Sequence, residues 1–450
     1  MLLIGIFCVL ATSGFQCRFI SREARDLLEP IELTWWTPTG DSSAFNEVLA
    51  AYRRVHPNIN IKIRVFRPEE YETELLNALA EDRGPDMFTM ANTDVGEHLT
   101  KLQPLPPTTK LAYEVTQHSL NVKNETFIEV RELPSITPGQ LRNQFLEVVS
   151  GDVITQNQVW ALPFSMDVLV MFFNRDLLDN AGIPLPPNTW TELQAQVQQL
   201  TFQDTNGNLV QSGVGLGRAD NVAHAFEILS LLMMQNGAEM IINGRAGFHL
   251  IPPTASDRDY NPGPEALSFY TDFANELKEV YTWNAAMPNS IDAFAQGKLA
   301  LLFGFHSDIP VIEAKRQGNL NFGVAPVPQI DDRPEVNLAR YWVTGVSRKS
   351  INVDAAWDFI QFASKAEQAR LFLAATGQPT ALRTLVAEQI QDDNLNPFAT
   401  ELLTSQSWYH GTNVDAARNA FATMIADVIE RGLNPFTAAE TASAKVSQTL

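Results

Sequence analysis

Beyond residue 17 the chain contains no cysteine; its two, Cys8 and Cys17, both stand near the N-terminus. A disulfide framework and a thiolate metal site are therefore excluded from the body of the protein. Histidine is thin as well. The seven (His56, His98, His118, His224, His249, His306 and His410) are scattered with no i, i+4 pair, so no metal site is expected. No G-x-S-x-G elbow, P-loop or H-E-x-x-H is present, and Gly213, Gly215 and Gly217 fail the dinucleotide fingerprint, so no cofactor is expected either. Positive charge is the scarcer sign, 32 Lys and Arg against 52 Asp and Glu, a formal net charge of −20. That argues against nucleic acid or an anionic membrane surface as the main partner.

What is present is an ordinary globular composition, 45% hydrophobic and 19% charged over 450 residues, enough for two lobes. Residues 1–20 read as a signal segment: an apolar block, Leu2 to Ala11, is followed by Thr12-Ser13-Gly14 and is short for a membrane span. No Lys or Arg precedes the block. Cys17 sits where a lipoprotein cysteine would, although Phe15-Gln16 departs from the small residues usual there, so lipidation and simple cleavage both stay open. Residues 21–30 form a charged linker.

Strands and helices then alternate. Ile31 to Trp36 reads as a strand, and Phe45, Val48, Leu49 and Tyr52 follow at helical spacing. Ile59, Ile61, Ile63 and Val65 alternate with polar residues as a second strand. Pro68 opens another helix, and Met87 to Met90 begins a third strand. This order implies parallel crossovers in an α/β sheet, with ligand at the carboxyl ends of strands, near Trp36, Thr37, Asn92 and Asp94. Thr108 to Gln158 is the least legible region, with one helix expected over Pro138 to Val149.

The stretch Val159 to Leu193 organises the rest. A short extended segment leads through Pro163 into the apolar run Val168 to Phe173, and a capping box, Thr189 with Glu192, opens a later helix. Asp167, at the mouth of the buried run, is either held by local hydrogen bonds or aimed into a cleft. Asp204 to Asn208 reads as an Asn-Gly hairpin turn, Phe269 to Val280 as a helix, and Lys298 to Phe303 as an apolar strand entering Gly304-Phe305-His306. Paired helices occupy Asp354 to Ala363 and Glu367 to Ala375, and one long helix runs from Asn413 to Arg431.

The order of several segments resembles the sugar-binding family of extracellular solute-binding proteins of ABC importers. These are the strand ending in Trp36, His56-Pro57-Asn58-Ile59, Gly84 to Met90, Ala161-Leu162-Pro163, Ala293 to Ile309, Asn321 to Gln329 and Gln378 to Ala381. Tyr341 and Trp342 replace glycines that many members carry. The resemblance covers roughly Ile31 to Leu450, interrupted at Thr108 to Gln158. It implies an α/β, two-lobed periplasmic-binding-protein type II-like fold with hinge-connected lobes and a ligand cleft between them. Residues 31–160 and 341–378 would form lobe 1, residues 163–328 and 384–450 lobe 2, and 160–162, 329–340 and 378–383 the hinge crossings.

A sugar site needs aromatic planes for the ring's C–H faces and polar groups for its hydroxyl rim. Trp36, Phe164, Phe305, Tyr341, Trp342 and Trp408 are the aromatic candidates; Thr37, Asn92, Asp94, Asp167 and His306 supply the rim, with Arg340 a further candidate. Asp167, Phe305 and Trp408 also match positions where the family places ligand contacts. The resemblance implies a non-enzymatic, monomeric, extracytoplasmic protein. It would capture a small solute, most readily a sugar or oligosaccharide, by lobe closure and deliver it to the transmembrane subunits of an ABC permease. Membrane association would come only through a lipid on Cys17. Two alternatives stay open on the sequence: a secreted hydrolase using two cleft carboxylates on a glycan, and a ligand-sensing module for a membrane receptor.

Overall fold

The computed structural model describes residues 27–450 apart from 39, 41, 120, 121, 254, 256, 317 and 319; the signal segment and Cys17 lie outside the described residues. Among these, no helix is long and apolar enough to cross a membrane. Two sheets organise two α/β lobes. In the first, the strand Ile31–Thr37 pairs in parallel with Ile59–Val65 on one side and with Met87–Ala91 on the other. The late strand Trp342–Ser347 then joins antiparallel to Met87–Ala91, and the short pieces Leu102–Gln103 and Leu162–Pro163 pair with it. Alternation decides the faces: Leu33 and Trp35 are buried in the core while Trp36 lies on the other face against Phe66.

In the second sheet Leu299–Gly304, buried along its whole length, lies between Leu209–Val214 and Val170–Asn174. Phe322–Ala325 closes one edge and Phe202–Gln203 the other. Val170–Asn174 runs antiparallel to both its neighbours, so the sheets are mixed and not the all-parallel arrangement the strand–helix alternation suggested. The turn at Asp204 to Asn208 forms as expected, with Gly207 at φ +82° and Asp204 Oδ1 accepting from the Asn206 and Asn208 amides.

Three other expectations change. Thr108–Ser119 and Val122–Pro134 form one long antiparallel hairpin, its base anchored by the buried Leu111 and by the Lys110 amide donating to Asp354. The helix expected over residues 138–149 is two, Pro138–Gln144 and Glu147–Val153. They are broken at Phe145-Leu146, where Phe145 bridges to Leu382 and Leu146 donates to the Ala381 carbonyl. Residues 262–272 carry the helix expected at 269–280.

The chain leaves the first sheet only after Pro163, because Leu162 and Pro163 still pair with Thr344 and Val343. From there the passages between lobes run side by side. Leu169 donates to the Leu338 carbonyl, Arg340 to that of Asp167, and Met166 to that of Pro379. The ribbon so formed is the floor of a cleft.

Candidate ligand cleft

A cavity of about 400 Å3 lies on that floor. The first lobe contributes Pro38, Gly40, Pro68, Ala91 and Trp342, and the second His224, Phe305, Ser307 and Asp308. The crossings themselves contribute Ser165, Met166, Asp167, Arg340, Tyr341 and Gln378. A recess of about 60 Å3 adjoins it, sharing Gly40, Ser165, Trp342 and Gln378, and reaching Thr37, Phe164 and Thr89. A larger hollow of about 680 Å3 lies between the turn at Asn243 and the C-terminal helix. It draws on the second lobe alone and carries no Phe, Tyr or Trp, so the cleft is the better candidate for a ring-shaped solute.

Asp167 resolves into both readings at once. Its Oδ1 accepts from the Val168 and His306 amides at 3.0 and 2.8 Å, and Oδ2 from the Ser307 amide at 3.0 Å. It thereby ties a crossing to the start of the turn His306–Asp308 while facing the cavity. Burial pushes its carboxyl up to about 7, against the opposing pull of the Ser307 and His306 amides.

Beside it runs a chain of charges. Asp308 Oδ2 accepts from the Phe305 amide and from His224 Nε2, both at 2.8 Å. Arg340 Nη1 lies 3.4 Å from His224 Nδ1 and 3.9 Å from Glu227 Oε1. Glu227, only 2% exposed, has Arg418 Nη1 2.6 Å from Oε1. Burial alone would raise its carboxyl, but Arg418, Arg340 and His224 overcome that and hold it down at about 2. For Asp308, too, burial acts upward and the His224 bond wins, leaving the carboxyl below its ordinary range.

Of the residues named from sequence, Asp167, Phe305, Arg340, Tyr341 and Trp342 line the cavity, and Thr37 and Phe164 line the recess. Five do not line either. Trp36 packs against Phe66, their planes tilted by 46°, with Arg64 5.0 Å from its ring centroid, because strand alternation sends it to the face opposite Trp35. Asn92 is buried, donating to Asp152 at 2.9 Å. Asp94 accepts from Thr93, and burial raises its carboxyl. The His306 ring turns toward Phe398, with burial lowering it to about 4. Trp408 packs inside the second lobe among Phe226, Phe248 and Phe421.

Tyr341 reaches the cavity but sends its hydroxyl away from it, to Asp152 at 2.6 Å. Asp152 also accepts from Ser407 and from His410 Nε2, so one buried carboxylate joins four donors behind the cleft. Sequence reading passed over His224, Asp308, Ser165, Gln378 and Asp152. Only the phenylalanine–aspartate spacing at Phe305 and Asp308, a cap on the following turn, was there to be seen.

Residues 35–370 match the model of the bacterial extracellular solute-binding proteins. The galactooligosaccharide-binding protein of Bacillus subtilis is 21% identical over 368 residues, 79% of this chain and 71% of that protein. A binding protein of Brucella abortus is 24% identical over 229 residues; the match takes in 50% of this chain and spans about half (51%) of the relative's own length. Among solved structures, an ABC-transporter solute-binding protein of Thermotoga lettingae bound with α-D-tagatose superposes with a TM-score of 0.67 at 18% identity. It covers 93% of this chain and 99% of its own.

Proposed function

The chain belongs to the bacterial extracellular solute-binding proteins, and from that premise we propose that it captures a carbohydrate in the cleft and passes it to the permease of an ABC importer. The make-up of the cavity supports this reading above all: Trp342 from the first lobe and the polar Ser307 and Asp308 from the second stand in one cavity with Asp167 on its floor, while the Phe305 ring is buried behind them. A sugar would lie against Trp342 and offer its hydroxyls to Asp167, Asp308, Arg340, Ser165 and Gln378. The lobes, expected as residues 31–160 with 341–378 and 163–328 with 384–450 but with Leu162, Pro163 and Phe164 kept in the first, would close by bending at the crossings. Tagatose and galactooligosaccharide are what two relatives are named for binding, and both are neutral sugars. Attachment through Cys17, a monomeric state and a place outside the cytoplasm complete the proposal.

Binding without turnover is the expected chemistry. A glycan hydrolase needs one carboxylate free to protonate and one free to attack or activate water. Here Asp167 is engaged by three amides and Asp308 by an amide and an imidazole. The test is a thermal-shift screen of the chain from Ser21 against sugars, polyamines, amino acids and phosphorylated polyols. A sugar should raise the melting temperature, Trp342→Ala should abolish the shift, and the sugar should be recovered unaltered. Stabilisation by a non-sugar alone would overturn the carbohydrate reading.

A further inference from the structure

The recess that adjoins the cavity at Trp342 is apolar in its depth and polar only at its mouth. The buried rings of Trp35, Phe45, Phe164 and Phe372 pack on one another and wall it. Hydroxyls along it are already engaged. Thr89 Oγ1 accepts from Trp35 Nε1 and shares a hydrogen bond with Thr344 Oγ1, both at 2.9 Å, and Thr376 donates to the Phe372 carbonyl at 3.0 Å. One water needs about 10–15 Å3 of such space and two or more polar partners. The recess, about 60 Å3, therefore takes a group of a few heavy atoms, not a second sugar ring, and suits carbon better than water.

At the mouth, Ser165 Oγ donates to Gln378 Oε1 at 2.6 Å, joining the first crossing to the third, and both residues line the cavity as well as the recess. Gln378 keeps its amide N–H donors and Ser165 a lone pair, neither with another side-chain partner among the described residues. Turning the amide over exchanges the two roles and still leaves one donor beside one acceptor. Trp342 borders both spaces, so a sugar ring lying against it holds a ring substituent at this mouth. A donor and an acceptor side by side over an apolar pit match a secondary amide that carries a methyl group. A hydroxyl would satisfy the mouth and leave the pit unfilled.

We propose that the cleft takes an N-acetylhexosamine, free or within an oligosaccharide, with the C2 acetamido group held by Ser165 and Gln378 and its methyl buried in the recess. This rests on the carbohydrate reading above and narrows it to a substrate class.

The test is calorimetric titration with matched pairs that differ at C2: glucose and N-acetylglucosamine, galactose and N-acetylgalactosamine, cellobiose and N,N′-diacetylchitobiose, lactose and N-acetyllactosamine. In at least one pair the acetamido member should bind at least fivefold more tightly than its hydroxyl counterpart. An advantage below fivefold in every pair overturns the proposal. Ala44→Leu, which fills the recess from its wall, should shrink the acetamido-to-hydroxyl ratio at least fivefold. Gln378→Ala, which removes half of the polar mouth, should also shrink it and serves if the first variant fails to fold. A ratio unchanged in a folded variant counts against the proposal. If other sugars bind and no acetamido member does, the proposal falls while the carbohydrate reading stands; if no sugar of any kind binds, that reading falls as well.

Discussion

Glu227 is a carboxylate that only its neighbours keep ionised. Its folded pKa, about 2, lies below the ordinary 4.5. The unfolded chain therefore binds more protons between those values, and stability falls as the pH drops through that window while being fully present above it. The shift corresponds to about 3 kcal/mol. Acid unfolding followed by circular dichroism should show Glu227→Gln less stable than wild type near pH 7, with the gap closing by that amount towards pH 2. A constant gap would mean that Glu227 is not ionised in the native state. Asp152 makes the complementary case. Asp152→Ala strands Asn92, Tyr341, Ser407 and His410, and should cost about 3 kcal/mol in urea denaturation. A loss below 1 kcal/mol would show that water replaces the carboxylate. Neither residue was visible beforehand, because the partners of each come from distant stretches of the chain. Positions 224, 227, 308, 340 and 418 meet only once the second lobe has folded against a crossing, and Asp152 meets Asn92, Tyr341, Ser407 and His410 only once segments from both ends of the chain are in place. Trp342 and Phe305, by contrast, stood out at strand ends, where a type of residue and a place coincide.

Strands were the most legible elements because burial on one face writes itself into alternation. Ile59, Ile61 and Ile63 show this, and so does the continuous run at Val170–Asn174, which is covered on both faces. Helix ends were legible where a cap exists, as at Thr189, whose hydroxyl accepts from the Glu192 amide, and at Asn413. The long hairpin escaped because its two strands are rich in charged and polar residues, so no single apolar face stands out in the sequence. The break between the helices at Phe145 is tertiary in origin, both residues being drawn toward the third crossing. Gly345 marks a constraint of the same kind. A Cβ there would stand 2.6 Å from Leu102 Cδ2 and 2.8 Å from the Trp160 carbonyl, where the strand Trp342–Ser347 passes the stretch leading into Leu162-Pro163. The carbonyl cannot move without disturbing that pairing. Gly345→Ala should therefore cost about 2 kcal/mol by thermal melting. No loss would show that the first lobe has slack where the structure shows contact.

At the scale of the molecule, the order of segments made the two-lobed architecture readable, while strand directions and the point of exit were not. Pairing of Leu162-Pro163 with Thr344-Val343 depends on a strand 180 residues later in the chain, beyond the reach of any local pattern. The consequence is mechanical. Phe164 packs on Trp35 and Phe45 in the first lobe, so the proposed bend would fall to the few residues from Ser165 onward. There Met166, Asp167 and Leu169 are bonded to Pro379, Arg340 and Leu338, so in the proposed closure the three passages would bend together as one ribbon. On that proposal the protein should populate an open and a closed form rather than a continuum. Small-angle scattering with saturating sugar should show a smaller radius of gyration and curves that are a sum of the two end states. Trp342→Ala at the same sugar concentration should keep the ligand-free curve. Compaction that proceeds through a third form would show that the crossings bend independently, and an unchanged radius with bound sugar would remove lobe closure from the mechanism.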